Sequence, residues 1–122
     1  MQEKKLTLKS TRLSELVVEG MLEKKAIDIT MVDLRKVNNA VADFFVICSG
    51  ASDTQIDSIS ESVEEMVYKS THNHPWKKEG KLNKEWILID YVDVIVHIFK
   101  KEKRDFFALE ELWGDGVITK VA

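Results

Sequence analysis

The sequence contains one cysteine, which excludes an internal disulfide. Cys48 lies inside the apolar run Phe44–Phe45–Val46–Ile47–Cys48–Ser49, where a thiol behaves as a small buried hydrophobe. That usage points to a reducing cytosol. No window approaches the roughly 18 consecutive apolar residues of a membrane span. The lysine-rich stretch Met1 to Ser10 is not followed by the apolar core of a signal peptide, so a soluble, unexported, cytoplasmic protein is expected. Positive charge is not in excess: 18 Lys and Arg stand against 21 Asp and Glu, a net charge of −3. A chain so balanced lacks the basic field that gives nucleic-acid binders their affinity for phosphate. Repeats and low-complexity segments are absent too. The 122 residues are one domain by size, enough to remove roughly two thirds of the unfolded surface from water.

What is present is periodic. Leu13, Leu16, Val17 and Met21 recur at helical spacing with Glu15, Glu19 and Glu23 turned away, an amphipathic helix that Ser10 or Thr11 would cap. Ile27, Ile29 and Met31 alternate with Asp28 and Thr30, the period of a strand with one face on a core; Asn38–Asn39 breaks the run. Phe44 to Cys48 is continuously apolar and β-prone, as in a central strand, and is expected to pair with the strand before it. Ser52 and Gln55 form a capping box. They open a helix whose stripe is Ile56, Ile59, Val63, Met66 and Val67, with Asp57, Glu61, Glu64 and Glu65 opposite; its end falls near Lys69 or Ser70.

Ser70 to Lys84 carries the only proline and two of the three histidines, and reads as a loop with a short edge strand near Trp76 to Glu79. Trp86 to Tyr91 and Asp93 to Phe99 are joined so tightly that a hairpin is the simplest connection. Lys101 to Trp113 reads as a third helix, with Phe106, Leu109 and Trp113 on one face and Gly114 as its stop. The expected fold is α/β, a mixed four- to five-stranded sheet packed with three helices in the order α-β-β-α-β-β-α. It forms a single domain over residues 1–114, with Asp115 to Ala122 as a frayed tail.

Three blocks carry a family resemblance. They are Asp43–Phe44–Phe45–Val46–Ile47–Cys48–Ser49–Gly50–Ala51–Ser52, then Glu79–Gly80, then the continuous stretch WILIDYVDVIVHIFKKEKRDFFALEELW from Trp86 to Trp113. In this order and spacing the chain from about Leu13 to Trp113 resembles the Iojap-like ribosomal silencing factors. The resemblance implies an α/β architecture distantly related to the nucleotidyltransferase fold, with neither enzymatic activity nor cofactor. It also implies binding to the large ribosomal subunit through that subunit's ribosomal protein fourteen, on the face that meets the small subunit. Bulk placed there blocks subunit joining when nutrients run short. One position departs from the pattern: many members carry glycine between the tyrosine and the aspartate, where this chain has Val92. A β-branched residue is strained at φ > 0, so an ordinary β conformation is expected at Val92.

The nucleotidyltransferase kinship makes Asp90 and Asp93 candidates for a magnesium-binding pair and an enzyme the alternative function. Carboxylates sharing a metal from one strand need i, i+2 spacing, whereas i, i+3 places them on opposite faces unless a turn intervenes. His72 and His74 fall short of a zinc ligand set. His97 is expected to sit beside Ile95 and Phe99, satisfied by a carboxylate or a backbone carbonyl, and Cys48 has no adjacent cation to activate it. Trp76, Trp86 and Tyr91 occupy a loop, a strand start and a turn among Lys77, Lys78, Glu79, Asp90 and Asp93. Exposed aromatics ringed by charges suit a protein-binding surface. The expected contact residues are Trp76, Glu79, Gly80, Trp86, Asp90, Tyr91 and Asp93, with acidic groups that would complement a basic ribosomal protein and little direct contact with ribosomal RNA. A homodimer off the ribosome, and a role in large-subunit assembly without repression, are compatible with the same patch.

Overall fold

The computed structural model describes residues 2–80, 84–104 and 115–122. Along the chain run α1 (Gln2–Glu23), β1 (Ile27–Asp33), β2 (Phe44–Gly50), α2 (Asp53–Thr71), β3 (Lys77–Glu79), β4 (Trp86–Asp90), β5 (Val94–Lys100), a 3-10 turn (Lys101–Lys103) and β6 (Val117–Lys120). The strands form one sheet in the order β3-β4-β5-β2-β1-β6. Only the central β2–β5 pair is parallel; the other neighbours are antiparallel. The continuous apolar character of β2 is explained by its place, since every residue from Phe44 to Gly50 is buried between two clusters.

One cluster joins Phe44, Val46, Cys48, Ile87, Ile89, Val96 and Ile98 of the sheet to Leu16, Val17 and Met21 of α1 and Ile56, Ile59, Val63 and Val67 of α2. The other, on the opposite face, gathers Val32, Leu34, Phe45, Ile47, Ile95 and Phe99, with Trp86 and Leu88 packed at its margin. The two helices approach closely at Gly20. A Cβ there would lie 2.7 Å from Val63 Cα, and the Ser62 hydroxyl donates to the Gly20 carbonyl at 2.8 Å. At the start of α2, Ser52 Oγ accepts from Gln55 N–H at 3.1 Å and the Gln55 side chain accepts from Ala51 N–H at 2.7 Å. The same amide donates to the carbonyls of Lys24 and Lys25, satisfying groups left over at the end of α1.

Several expectations are corrected. Among the described residues there are six strands, where four or five were expected, and two of the three expected helices. α1 begins at Gln2, so Ser10 and Thr11 lie within it and do not cap it. The expected helix from Lys101 to Trp113, with its Phe106, Leu109 and Trp113 stripe and Gly114, falls largely outside the described residues; Lys101–Lys103 form a 3-10 turn. The expected tail instead contains β6, which pairs with β1 from Asp33 opposite Val117 to Thr30 opposite Lys120. Beyond it, Val121 N–H and Ala122 N–H both donate to the Ile29 carbonyl, at 2.8 and 3.5 Å, the pattern of a β-bulge. The physical reason is the open edge of β1, whose backbone groups need partners. Among the described residues no helix is long and apolar enough to cross a membrane.

Gly20→Val should cost at least about 2 kcal/mol, because the added atoms meet backbone that cannot yield without parting the helices. Urea denaturation of the variant, read as a lowered midpoint at unchanged slope, checks this.

Candidate partner-binding surface

β3 and β4 form a narrow antiparallel ribbon at one edge of the sheet, with Lys77 opposite Asp90 and Glu79 opposite Leu88. Trp76 N–H extends the pairing by donating to the Asp90 carbonyl at 2.7 Å, yet its side chain is 69% exposed. An indole held by its backbone and open to solvent is an unsatisfied contact surface. Lys77 lies over it at 5.4 Å and pairs with Glu79 at 3.1 Å. Gly80 has φ +81, and a Cβ there would fall 1.9 Å from the Trp86 carbonyl oxygen. Only glycine lets the chain leave β3 so close to β4. Lys78 turns the other way and reaches Glu64 of α2 at 2.7 Å.

Trp86 is half-buried at the margin of the cluster on the face away from the helices. Its indole N–H donates to His97 Nδ1 at 3.0 Å, and its ring stacks on Phe99 with centroids 5.2 Å apart. His97 is 3% exposed, its Nε2 has no hydrogen-bond partner, and burial lowers its pKa to about 3. The expectation of a carboxylate or carbonyl partner is therefore corrected: the partner is an indole. The unpartnered nitrogen costs the fold about 1–3 kcal/mol.

The β4–β5 connection is a tight turn. Tyr91 N–H donates to the Val94 carbonyl at 2.9 Å, Asp93 N–H to the Tyr91 carbonyl at 3.0 Å, and Val92 N–H to Asp90 Oδ1 at 2.7 Å. Val92 has φ +75, which corrects the expected β conformation. An i+2 to i bond around such a residue belongs to the rare, strained γ-turn. The strain persists because the surroundings fix it: the Asp93 carbonyl accepts from both Asp43 N–H and Phe44 N–H, so the turn cannot relax without unpicking the start of β2.

The turn also decides which expected contact residues are presented. Asp90 is half-buried and Asp93 exposed, but Tyr91 points to the helix side, 8% exposed, among the residues beneath α2. Burial, with the Glu64 charge adding to it, pushes its phenol upward. Tyr91 is thus corrected from contact to core. Trp76, Glu79, Gly80, Trp86, Asp90 and Asp93 share the ribbon and its adjoining turn.

Other candidates find structural places. Burial pushes the Cys48 thiol upward, away from the reactive thiolate. His72 and His74 pack on Tyr68, at 5.4 and 4.8 Å between centroids. Among the described residues no three His, Cys, Asp or Glu side chains converge as metal ligands. Sequence reading missed Arg104, which is buried and donates to the Asp28 carbonyl, to Ser49 Oγ at 3.2 Å and to Thr30 Oγ1 at 3.0 Å. Asp28 has φ +51 at an irregularity in the β1–β2 pairing, a feature that no local pattern announces.

A model of the family described as ribosomal silencing factor during starvation matches residues 7–121, a span that includes β6. The ribosomal silencing factor RsfS of Bacillus subtilis (strain 168) is 38% identical over 97 residues, which cover 80% of each chain. That of Halalkalibacterium halodurans is 32% identical over 108 residues, 88% of this chain and 91% of its own. A crystal structure of a protein from Chromobacterium violaceum superposes with a TM-score of 0.79 at 28% identity, covering 85% of both chains.

Val92→Gly should raise stability by about 1 kcal/mol, relief of the positive φ exceeding the entropy that glycine adds to the unfolded chain; a fall in the denaturation midpoint would contradict the strained turn. His97 supplies a pH dependence. Its pKa is about 3 folded and about 6.5 unfolded. Below pH 6.5 the unfolded chain takes up a proton that the folded protein refuses, so stability falls as pH falls. The slope approaches about 1.4 kcal/mol per pH unit. His97→Leu should flatten that slope in urea titrations between about pH 6 and pH 5.

Proposed function

The chain belongs to the ribosomal silencing factor family, and from that premise we propose that it binds the large ribosomal subunit through ribosomal protein fourteen of that subunit. Seated on the face that meets the small subunit, it keeps the two subunits from joining and so represses translation in the cytoplasm when nutrients are scarce. The observation that supports this reading best is Trp76, 69% exposed on a ribbon whose backbone is fixed by pairing with Asp90. An aromatic anchor presented by a rigid element loses little freedom on binding. Around it Lys77 covers the indole and pairs with Glu79, while Asp90 and Asp93 at the adjoining turn offer negative charge that would help orient a basic protein. Steric occupation requires no chemistry, only a stable body with one specific patch.

The edge strand itself argues for recognition through side chains. β3 is three residues long and reads Lys-Lys-Glu, all exposed; short, charged edges discourage the addition of a further strand. The partner would then meet Trp76 and the carboxylates and would not extend the sheet.

Adding the protein to separated subunits should reduce their joining in sucrose gradients, whereas adding it to already joined ribosomes should do much less, because the occupied face is covered. Trp76→Ala should weaken binding to isolated large subunits by about 2 kcal/mol at unchanged stability. Equal inhibition in both orders, or inhibition that needs magnesium and a nucleotide, would sink the steric reading and favour an enzyme. Subunit binding with no effect on joining would favour an assembly factor.

A further inference from the structure

His97 is the singled-out residue to which the binding surface gives no task. We infer that His97 is a positioning residue for Trp86, holding the indole in the one orientation that the partner meets. The inference rests on the reading of Trp86 as a contact residue.

An indole N–H can only donate, so His97 Nδ1, 3.0 Å away, carries the lone pair and the neutral imidazole keeps its proton on Nε2. The imidazole is itself fixed. Phe45 meets it edge-on at 4.9 Å, and Phe99 lies nearly parallel to it, 8° between planes at 6.2 Å. Phe99 also stacks on the Trp86 ring. Trp86 is therefore clamped twice, by its N–H and by its ring face, although it sits at the margin of the core and not within it. A side chain ordered before binding costs the complex less when it binds.

The other nitrogen shows that stability alone does not account for a histidine here. Nε2 is sealed from solvent and has no acceptor, so an apolar residue of similar size would leave no orphan donor in this place. What such a residue would lose is the acceptor for Trp86. Burial keeps His97 neutral well below the pH of a cytoplasm, so the clamp is constitutive and not a pH switch.

The test compares His97→Leu and His97→Gln with the unaltered protein, each also combined with Trp86→Phe. In His97→Leu the denaturation midpoint at neutral pH should hold or rise. The Trp86 indole resonance in a nitrogen–proton correlation spectrum should shift and exchange faster with solvent. Affinity for isolated large subunits should fall roughly two- to tenfold, the range set by ordering one side chain. His97→Gln, which restores an acceptor, should recover most of the affinity. In the Trp86→Phe background His97→Leu should cost no further affinity. An equal loss in that background would show that His97 acts elsewhere and overturn the inference. If Trp86→Phe weakens binding while His97→Leu does not, positioning fails and the contact reading stands. If Trp86→Phe leaves binding unchanged, the contact reading fails and takes the inference with it.

Discussion

The parallel register of β2 and β5, from Phe44 opposite Val94 to Gly50 opposite Lys100, obliges the chain to travel back across the sheet between them. Parallel neighbours cannot be joined by a tight turn. Here α2 makes most of that return journey, and β3 and β4 complete it by pairing beyond β5. The ribbon that carries Trp76 exists because β4 must approach β5 from outside. Its distance from the β1–β6 edge follows from the same crossover. The centre of the sheet is buried on both faces, as a parallel pair requires, with His97 on β5 as a polar side chain sealed within it.

Much of this was legible in the residues. The continuous run of β2, the Ser52–Gln55 cap and the stripe of α2 are local patterns whose physics is complete within a few residues. So is the adjacency that makes β4 and β5 a hairpin. What escaped depends on partners distant in the chain. β6 is four residues long, too short to show a period, and it is a strand only because β1 offers an unfilled edge. Tyr91 follows Asp90 directly, and whether it faces solvent or core turns on the parity of β4 and on how the next residue bends.

Val92 shows local preference losing to tertiary context. Its side chain favours β, but the Asp90 carboxylate captures its N–H and the Asp93 carbonyl is held by two donors from the start of β2. The turn is thereby set to the conformation that suits Val92 least. The Trp86–His97 pair escaped for a related reason. The two residues are eleven apart and not directly opposite, since Trp86 faces Phe99 and His97 faces Leu88. Only the register of the hairpin brings them together diagonally.

The two ends of the sheet are finished in different ways. β3 closes one end with charge, while β6 closes the other with Val117 and Ile118, both exposed, and a terminal bulge. A chain cut back to the boundary that the sequence suggests, at residue 114, would bare the β1 edge from Ile29 to Asp33. That segment, Ile-Thr-Met-Val-Asp, is β-prone and carries charge only at its end, the composition that recruits foreign strands. The last eight residues thus serve as a backbone cover for β1, pairing with it from Asp33 to Thr30 and bonding Ile29 beyond, and their removal would leave that row of donors and acceptors open to another strand.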